Sequence, residues 1–274
     1  MKIIFFLVLF SVSFKKLLGQ DYYVLQVSGK IRNLTAQQDL EKGSTLKSSD
    51  KLRFFSTSSY AVVLDKHAGR KIIDGHTLKK EPSKNELIAF VNDVLVPTVT
   101  NRQLSTRHSS DHEITDLQAY FGKGKFLFLG DTFIVKLSSK SFQLDSNRII
   151  AIRYYYEDQS IYKRVSSYEN NWLIFDKKFI LTNDSVAINP HHVKQCELIY
   201  FDKTTKEKKE LARFEPLFAS DDQIFKDLLS IKSFLQHVEE EKLKSEVLEF
   251  VRQNYGKTDE LILESWLKKQ KFFE

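Results

Sequence analysis

Short apolar runs broken by glycine or polar turn residues dominate two stretches, Asp21 to about Ile73 and about Asp116 to Phe218, and such a rhythm points to packed antiparallel strands. Tyr22, Val24 and Gln26 alternate with Tyr23, Leu25 and Val27 before Gly29. Lys51 to Ser56, Tyr60 to Asp65 and Lys71 to Asp74 repeat the pattern, with Gly43, Ser48-Ser49-Asp50 and Ala68-Gly69 supplying the breaks. Strands this closely spaced predict a small barrel or sandwich over residues 21–75.

Within that stretch, three segments follow a recognisable order: Val27-Ser28-Gly29-Lys30-Ile31, then Gly43-Ser44-Thr45-Leu46-Lys47-Ser48-Ser49-Asp50-Lys51-Leu52, then Tyr60-Ala61-Val62-Val63-Leu64. Residues 24–73 on this basis resemble the small β-domains of FecR-like and bacterial SH3-like exported proteins, where a Gly-x-x-Leu-x-x-Gly-Asp-x-Leu pattern closes a turn before the next strand. Ser49 stands where those domains carry the second glycine. The resemblance implies a fold, an SH3-like β-barrel, and carries no catalytic residues with it.

Beyond it, Ser83 and Glu86 match a capping box, and Leu87, Phe90, Val91, Val94 and Leu95 fall on one helical face that Pro97 ends, which predicts a helix over 84–95. Residues 98–115 are polar and without apolar period, as expected of a linker. From Asp116 to Phe218 the strand rhythm returns and predicts an antiparallel meander. The period then changes to helical: Ile224, Leu228, Ile231, Leu235 and Val238 trace one face, Leu243, Val247, Phe250 and Val251 a second that stops at Gly256, and Leu261, Ile262, Trp266 and Leu267 a third. The expected fold class is α+β. Its parts are a leader over 1–20, an SH3-like or FecR-like β-barrel over 21–75, a short helix with a polar linker over 76–115, a second antiparallel β domain over 116–218, and a helical C-terminal tail over 219–274.

The apolar stretch Ile3 to Phe14, flanked by Lys2 and by Lys15-Lys16, is too short to cross a bilayer, which takes roughly 20 apolar residues, and reads as an export signal. Cys196 is the only cysteine, so no intramolecular disulfide can form, and an exported chain without disulfides suits a bacterial periplasm or cell surface. The formal net charge is +6, from 42 basic residues against 36 acids; loss of Lys2, Lys15 and Lys16 with the leader leaves +3. That balance is not the electrostatic footprint of a nucleic-acid binder.

Candidate chemistry is sparse. His108 and His112 stand four apart beside Asp111 and Glu113, a spacing that would aim two imidazoles at one metal on a helix, but the segment has no apolar face to anchor one and no third ligand. Cys196, four residues after His192, begins an apolar run and reads as a core residue. Gly122-Lys123-Gly124-Lys125 lacks the spacing of a phosphate-binding loop and reads as a turn. Arg153-Tyr154-Tyr155-Tyr156 and Tyr162-Lys163-Arg164 would face each other across a hairpin. Alternation sends Ile152, Tyr154 and Tyr156 to one side and Arg153 and Tyr155 to the other. Arg153, Tyr155, Tyr162 and Arg164 are therefore the candidate binding residues. The functional expectation is a non-catalytic interaction or assembly protein of the bacterial envelope. Its partner would be an envelope protein or cell-wall polymer, with no cofactor, no metal, no nucleic acid and no membrane span once the leader is removed. The alternatives are a metal-dependent envelope hydrolase using His108, Asp111 or His112, and a glycan- or peptidoglycan-binding module.

Overall fold

The structure, a computed structural model, describes residues 21–66, 69–78, 87–97, 113–157, 159–168, 171–236 and 238–273. The expected leader, the Ser83 and Glu86 capping pair, and His108, Asp111 and His112 lie outside them. The fold is α+β and rich in strands. The chain divides between Asn101 and Arg102 into two compact units, with Phe234–Gln236 grouping with the first.

Among the described residues the first unit holds nine strands: β1 (Tyr22–Ser28), β2 (Ile31–Asn33), β3 (Gln38–Asp39), β4 (Thr45–Leu46), β5 (Lys51–Phe54), β6 (Tyr60–Asp65), β7 (Gly69–Asp74), β8 (Leu87–Phe90) and β9 (Leu95–Pro97). They form two open antiparallel sheets, in the orders β4-β1-β6-β7-β9 and β3-β2-β5-β8, where the sequence led us to expect one closed barrel. Both sheets send side chains into one core, with Val24, Val63 and Ile73 from the first and Ile31, Leu52 and Phe54 from the second. Gly29 turns the chain from one sheet to the other at φ +74°, where an added Cβ would sit 2.4 Å from Ser59 Oγ. Asp50, in the turn before β5, is buried and accepts from Asn33 Nδ2 at 3.0 Å and from the Lys47 amide at 3.1 Å.

The helix expected over 84–95 is not there. Leu87–Phe90 is extended and pairs with β5, Val91–Asp93 forms one turn of 3₁₀ helix, and Leu95–Pro97 pairs with β7. Ile88, Val91, Val94 and Val96 are β-branched and favour the extended chain, and β5 and β7 each offer an unfilled ladder. The single 3₁₀ turn suffices to bury both Val91 and Val94, so an apolar spacing that reads as helical is met without a helix.

The second unit comprises β10 (Lys125–Leu127), β11 (Thr132–Lys136), β12 (Arg148–Tyr156), β13 (Gln159–Arg164), β14 (Ser166–Tyr168), β15 (Trp172–Asp176), β16 (Thr182–Asn183), β17 (Val186–Ala187), β18 (Cys196–Asp202) and β19 (Lys208–Leu217). Its helices are α1 (Leu117–Phe121), α2 (Lys177–Ile180), α3 (Asp221–Phe234), α4 (Glu240–Tyr255) and α5 (Glu260–Lys269). A five-stranded sheet runs β10-β19-β18-β12-β13, beside a three-stranded sheet β11-β15-β14 and the hairpin β16-β17.

The arrangement is not the expected meander: the strands divide among three sheets, β12 pairs with β18 and β11 with β15 across long connections, and β10 lies parallel to β19. No local pattern marks that pairing, because the other edge of β10 is completed from the far end of the chain. The Leu127 amide donates to the Lys257 carbonyl at 2.7 Å, and the Lys257 amide to the Lys125 carbonyl at 2.9 Å. Gly256 makes this approach possible. It ends α4 at φ +90°, and a Cβ there would lie 2.5 Å from the Lys125 carbonyl oxygen. The C-terminal helices are thus stitched into the unit. The Tyr120 hydroxyl donates to Asp259 at 2.7 Å, and the Trp266 indole N–H to Asp221 at 2.9 Å.

The core beneath the sheets is dominated by phenylalanine. Phe121 stacks on Phe214 with centroids 4.4 Å apart and an interplanar angle of 9°, and Phe126, Phe128, Phe133 and Phe175 surround them. Short α1, which strand rhythm alone does not predict, exists because Asp116 caps it through the Ala119 amide and because it delivers Leu117 and Phe121 to this core.

Candidate functional site

On β12 the inward residues Ile150, Ile152 and Tyr154 are buried, so Ala151, Arg153 and Tyr155 face outward. Register carries this face across the sheet. Arg153 lies opposite Tyr162 on β13 and opposite Glu197 on β18, and Glu197 lies opposite Arg213 on β19. Tyr162, Arg153, Glu197 and Arg213 therefore form one row over four strands. Arg164 is on the same face beside the row, opposite Ala151, and Tyr155 is on its other side, opposite Ser160.

Glu197 anchors the row. It is only 3% exposed, yet it points to the outer face, where Arg153 and Arg213 cover it. Arg213 Nη2 is 3.1 Å from Glu197 Oε1, and Arg153 Nη2 pairs with Glu197 Oε2. Arg213 also reaches Glu210, at 2.6 Å. One buried carboxylate thus holds two guanidiniums whose charges it only half cancels. A charge buried this deeply is tolerated only when paired on both oxygens.

Arg153 also donates to the Tyr162 hydroxyl at 3.1 Å, and its guanidinium carbon lies 5.9 Å from the Tyr155 ring centre and 5.8 Å from that of Tyr162. These separations are at the outer limit of cation–π attraction. The hydrogen bond from Arg153 lowers the Tyr162 phenol below its ordinary value, and the same bond raises the guanidinium of Arg153, with Glu197 adding to it. Tyr155 and Tyr162 remain 46% and 55% exposed, so both rings offer apolar surface beside Arg153. Lys208 lies over the Phe201 ring, 5.7 Å from its centre, on the same face. At Arg213 the edge of β19 is met by α1, where the Arg213 amide donates to Gln118 Oε1 at 2.9 Å.

Of the residues singled out from the sequence, Arg153, Tyr155 and Tyr162 come together as expected from alternation, with Arg164 flanking them. Glu197 and Arg213 were missed. The signal for Glu197 was an acid lodged in the apolar run Cys196 to Phe201, which a buried strand does not carry without a partner. Cys196 points the other way, into the core opposite Tyr154, where burial and then Glu197 push its thiol well above the usual range and leave it without thiolate character. His192 lies exposed on a 3₁₀ turn and stacks on Tyr156. Among the described residues no group of three His, Cys, Asp or Glu side chains is placed to hold a metal ion.

Two concavities also occur in this unit. A cleft of about 640 Å³ is lined by Asp116, Phe142, Tyr200, Glu207, Lys209 and Leu211, among others. A smaller one of about 200 Å³ lies between Tyr156, Ile161, Asn183 and Ile188. Both have mixed polar and apolar linings. No protein-family model fits the chain, and no curated protein matches it. No helix among the described residues is long and apolar enough to cross a membrane.

Proposed function

We propose that this is an exported, non-catalytic interaction or assembly protein of a bacterial envelope, working in the periplasm or at the cell surface, and that it binds an envelope protein or cell-wall polymer through the outer face of the five-stranded sheet. The observation that carries this reading is the exposure of Tyr155 and Tyr162 on either side of an Arg153 fixed from beneath by buried Glu197. Side chains locked before a partner arrives lose little entropy when it does, and arginine and tyrosine are among the residues enriched where binding energy concentrates. Export rests on the Ile3 to Phe14 leader and on the lone cysteine. The first unit serves as the SH3-like or FecR-like module. Support for this comes from Asp50, which closes the turn of the Gly43 to Leu52 segment, and from Leu52, which enters the core directly after it.

The test is retention of the full chain on isolated envelope material. Tyr155→Ala abolishes retention and leaves thermal stability unchanged, since the ring is half exposed. Undiminished retention of that variant removes the face from the account. Recovery of the native polypeptide from the soluble cell interior with its leader attached removes the export.

A further inference from the structure

We propose that the ligand of this sheet face is a linear glycan bearing carboxylates, lying across the strands so that sugar rings rest on Tyr155 and Tyr162 while Arg153, Arg164 and Arg213 take its acid groups. The inference rests on the reading of the face given above and specifies its partner.

Charge complementarity is the first argument. Arg153, Arg164, Arg213, Lys208 and Lys125 lie on the face against Glu197, Glu210 and Glu215, so it carries a positive excess of two. Arg164 is exposed and has no ion pair among the described residues. The planar guanidinium fork matches a carboxylate through two parallel hydrogen bonds, which a lysine cannot do.

Spacing is the second. Arg153 and Arg213 are two strands apart, roughly 9–10 Å across the sheet, while Tyr155 and Tyr162 occupy a diagonal pair about 7–8 Å apart across adjacent strands. The line that crosses the strands thus carries the Tyr162 ring and two guanidiniums, with Tyr155 beside it, which suits an extended chain with spaced acids. A compact ligand would need an enclosing pocket, and the larger cleft is lined from the inward side of the sheet by Tyr200 and Lys209.

Competing polyanions fit less well. A nucleic acid presents a phosphate at every residue and calls for a strongly basic surface, whereas this chain without its leader carries a formal net charge of only +3. An acidic peptide that adds to a sheet does so at an edge strand, through main-chain hydrogen bonds. The clustered features here lie on the face of the sheet. The exposed C–H faces of sugar rings, by contrast, use tyrosine rings as flat apolar supports while their hydroxyls and carboxylates meet the arginines.

Binding of the full chain to three soluble polymers tests this: polygalacturonate, its methyl-esterified form with the same backbone but no charge, and poly-L-glutamate. Polygalacturonate binds at least about tenfold more tightly than either of the others, as one well-placed charged hydrogen-bond pair requires. Arg164→Gln and Tyr162→Ala each weaken that binding about tenfold, and added salt weakens it in the wild type. Equal binding of the ester shows that charge is not read, and equal binding of poly-L-glutamate shows that the sugar is not; either overturns the inference. Failure to bind all three overturns it too. If isolated envelope material still retains the chain in a Tyr155-dependent way, the broader interaction role survives; if that retention is absent as well, both readings fall.

Discussion

Arg153 donates to the hydroxyl of Tyr162 at 3.1 Å across a register pair of β12 and β13. The bond fixes a tyrosine that is otherwise open to solvent, and because the same guanidinium is held by Glu197, three strands are tied together through one side chain. Rigidity of this sort on an exposed face serves recognition better than it serves stability, since exposed pairs contribute little to folding.

The two arginines that share Glu197 are expected to differ sharply from Glu197 itself. Removing the buried carboxylate leaves two guanidiniums facing each other, and Glu197→Ala lowers the unfolding free energy by about 2–4 kcal/mol. Arg213→Ala removes a side chain that is half exposed and paired with a second acid, and lowers it by less than about 1 kcal/mol. Denaturant unfolding of the two variants measures both. Equal losses would mean that Glu197 is not the anchor.

Alkaline pH gives a separate readout of the core. The Tyr154 hydroxyl is buried, donates to the Ile180 carbonyl, and is pushed up to about 12 by that burial, with Cys196 adding to the effect. The folded state therefore favours the protonated phenol. Its contribution is complete below the ordinary tyrosine value of 10.0 and is lost as pH rises from there through about 12. Thermal stability is expected to fall across that window. Tyr154→Phe flattens part of the fall while lowering stability at neutral pH by about 1–3 kcal/mol, because the Ile180 carbonyl is left unpaired. Tyr120, also raised by burial, keeps some of the slope in place.

Gly256 is expected to be intolerant of any side chain. Its backbone, at φ +90° and ψ −167°, costs other residues about 1–3 kcal/mol, and a methyl group would collide with the Lys125 carbonyl at 2.5 Å. Gly256→Ala should reduce the melting temperature markedly and raise amide exchange at Leu127, whose bond to Lys257 depends on this approach. Gly124→Ala, with nothing within 4 Å of the added methyl, is the matched control and should change little.

Local periodicity accounts for much of what was legible beforehand. The hairpin of β12 and β13, and the division of its residues between core and solvent, followed from simple alternation at Ile152 to Tyr156. The C-terminal helices followed from the spacing of Ile224 to Leu267 and from Gly256 as a stop. What was not legible depends on partners distant in sequence. Leu87 to Leu95 has a helical spacing, but two waiting sheet edges recruit it as strand. The parallel pairing of β10 and β19 joins segments that no local pattern connects, and its other edge is closed by Lys257. Glu197 looks out of place in an apolar strand until register sets Arg153 and Arg213 on either side of it.

The central claim is that the outer face at Arg153, Tyr155 and Tyr162 is where this protein meets its partner. Hydrogen–deuterium exchange of the full chain, with and without isolated envelope polymer, tests it most directly. The account predicts protection concentrated in residues 148–164 and 196–202 and lost in Tyr155→Ala. Protection confined to the cleft around Phe142 and Lys209, or to the first unit, would contradict it.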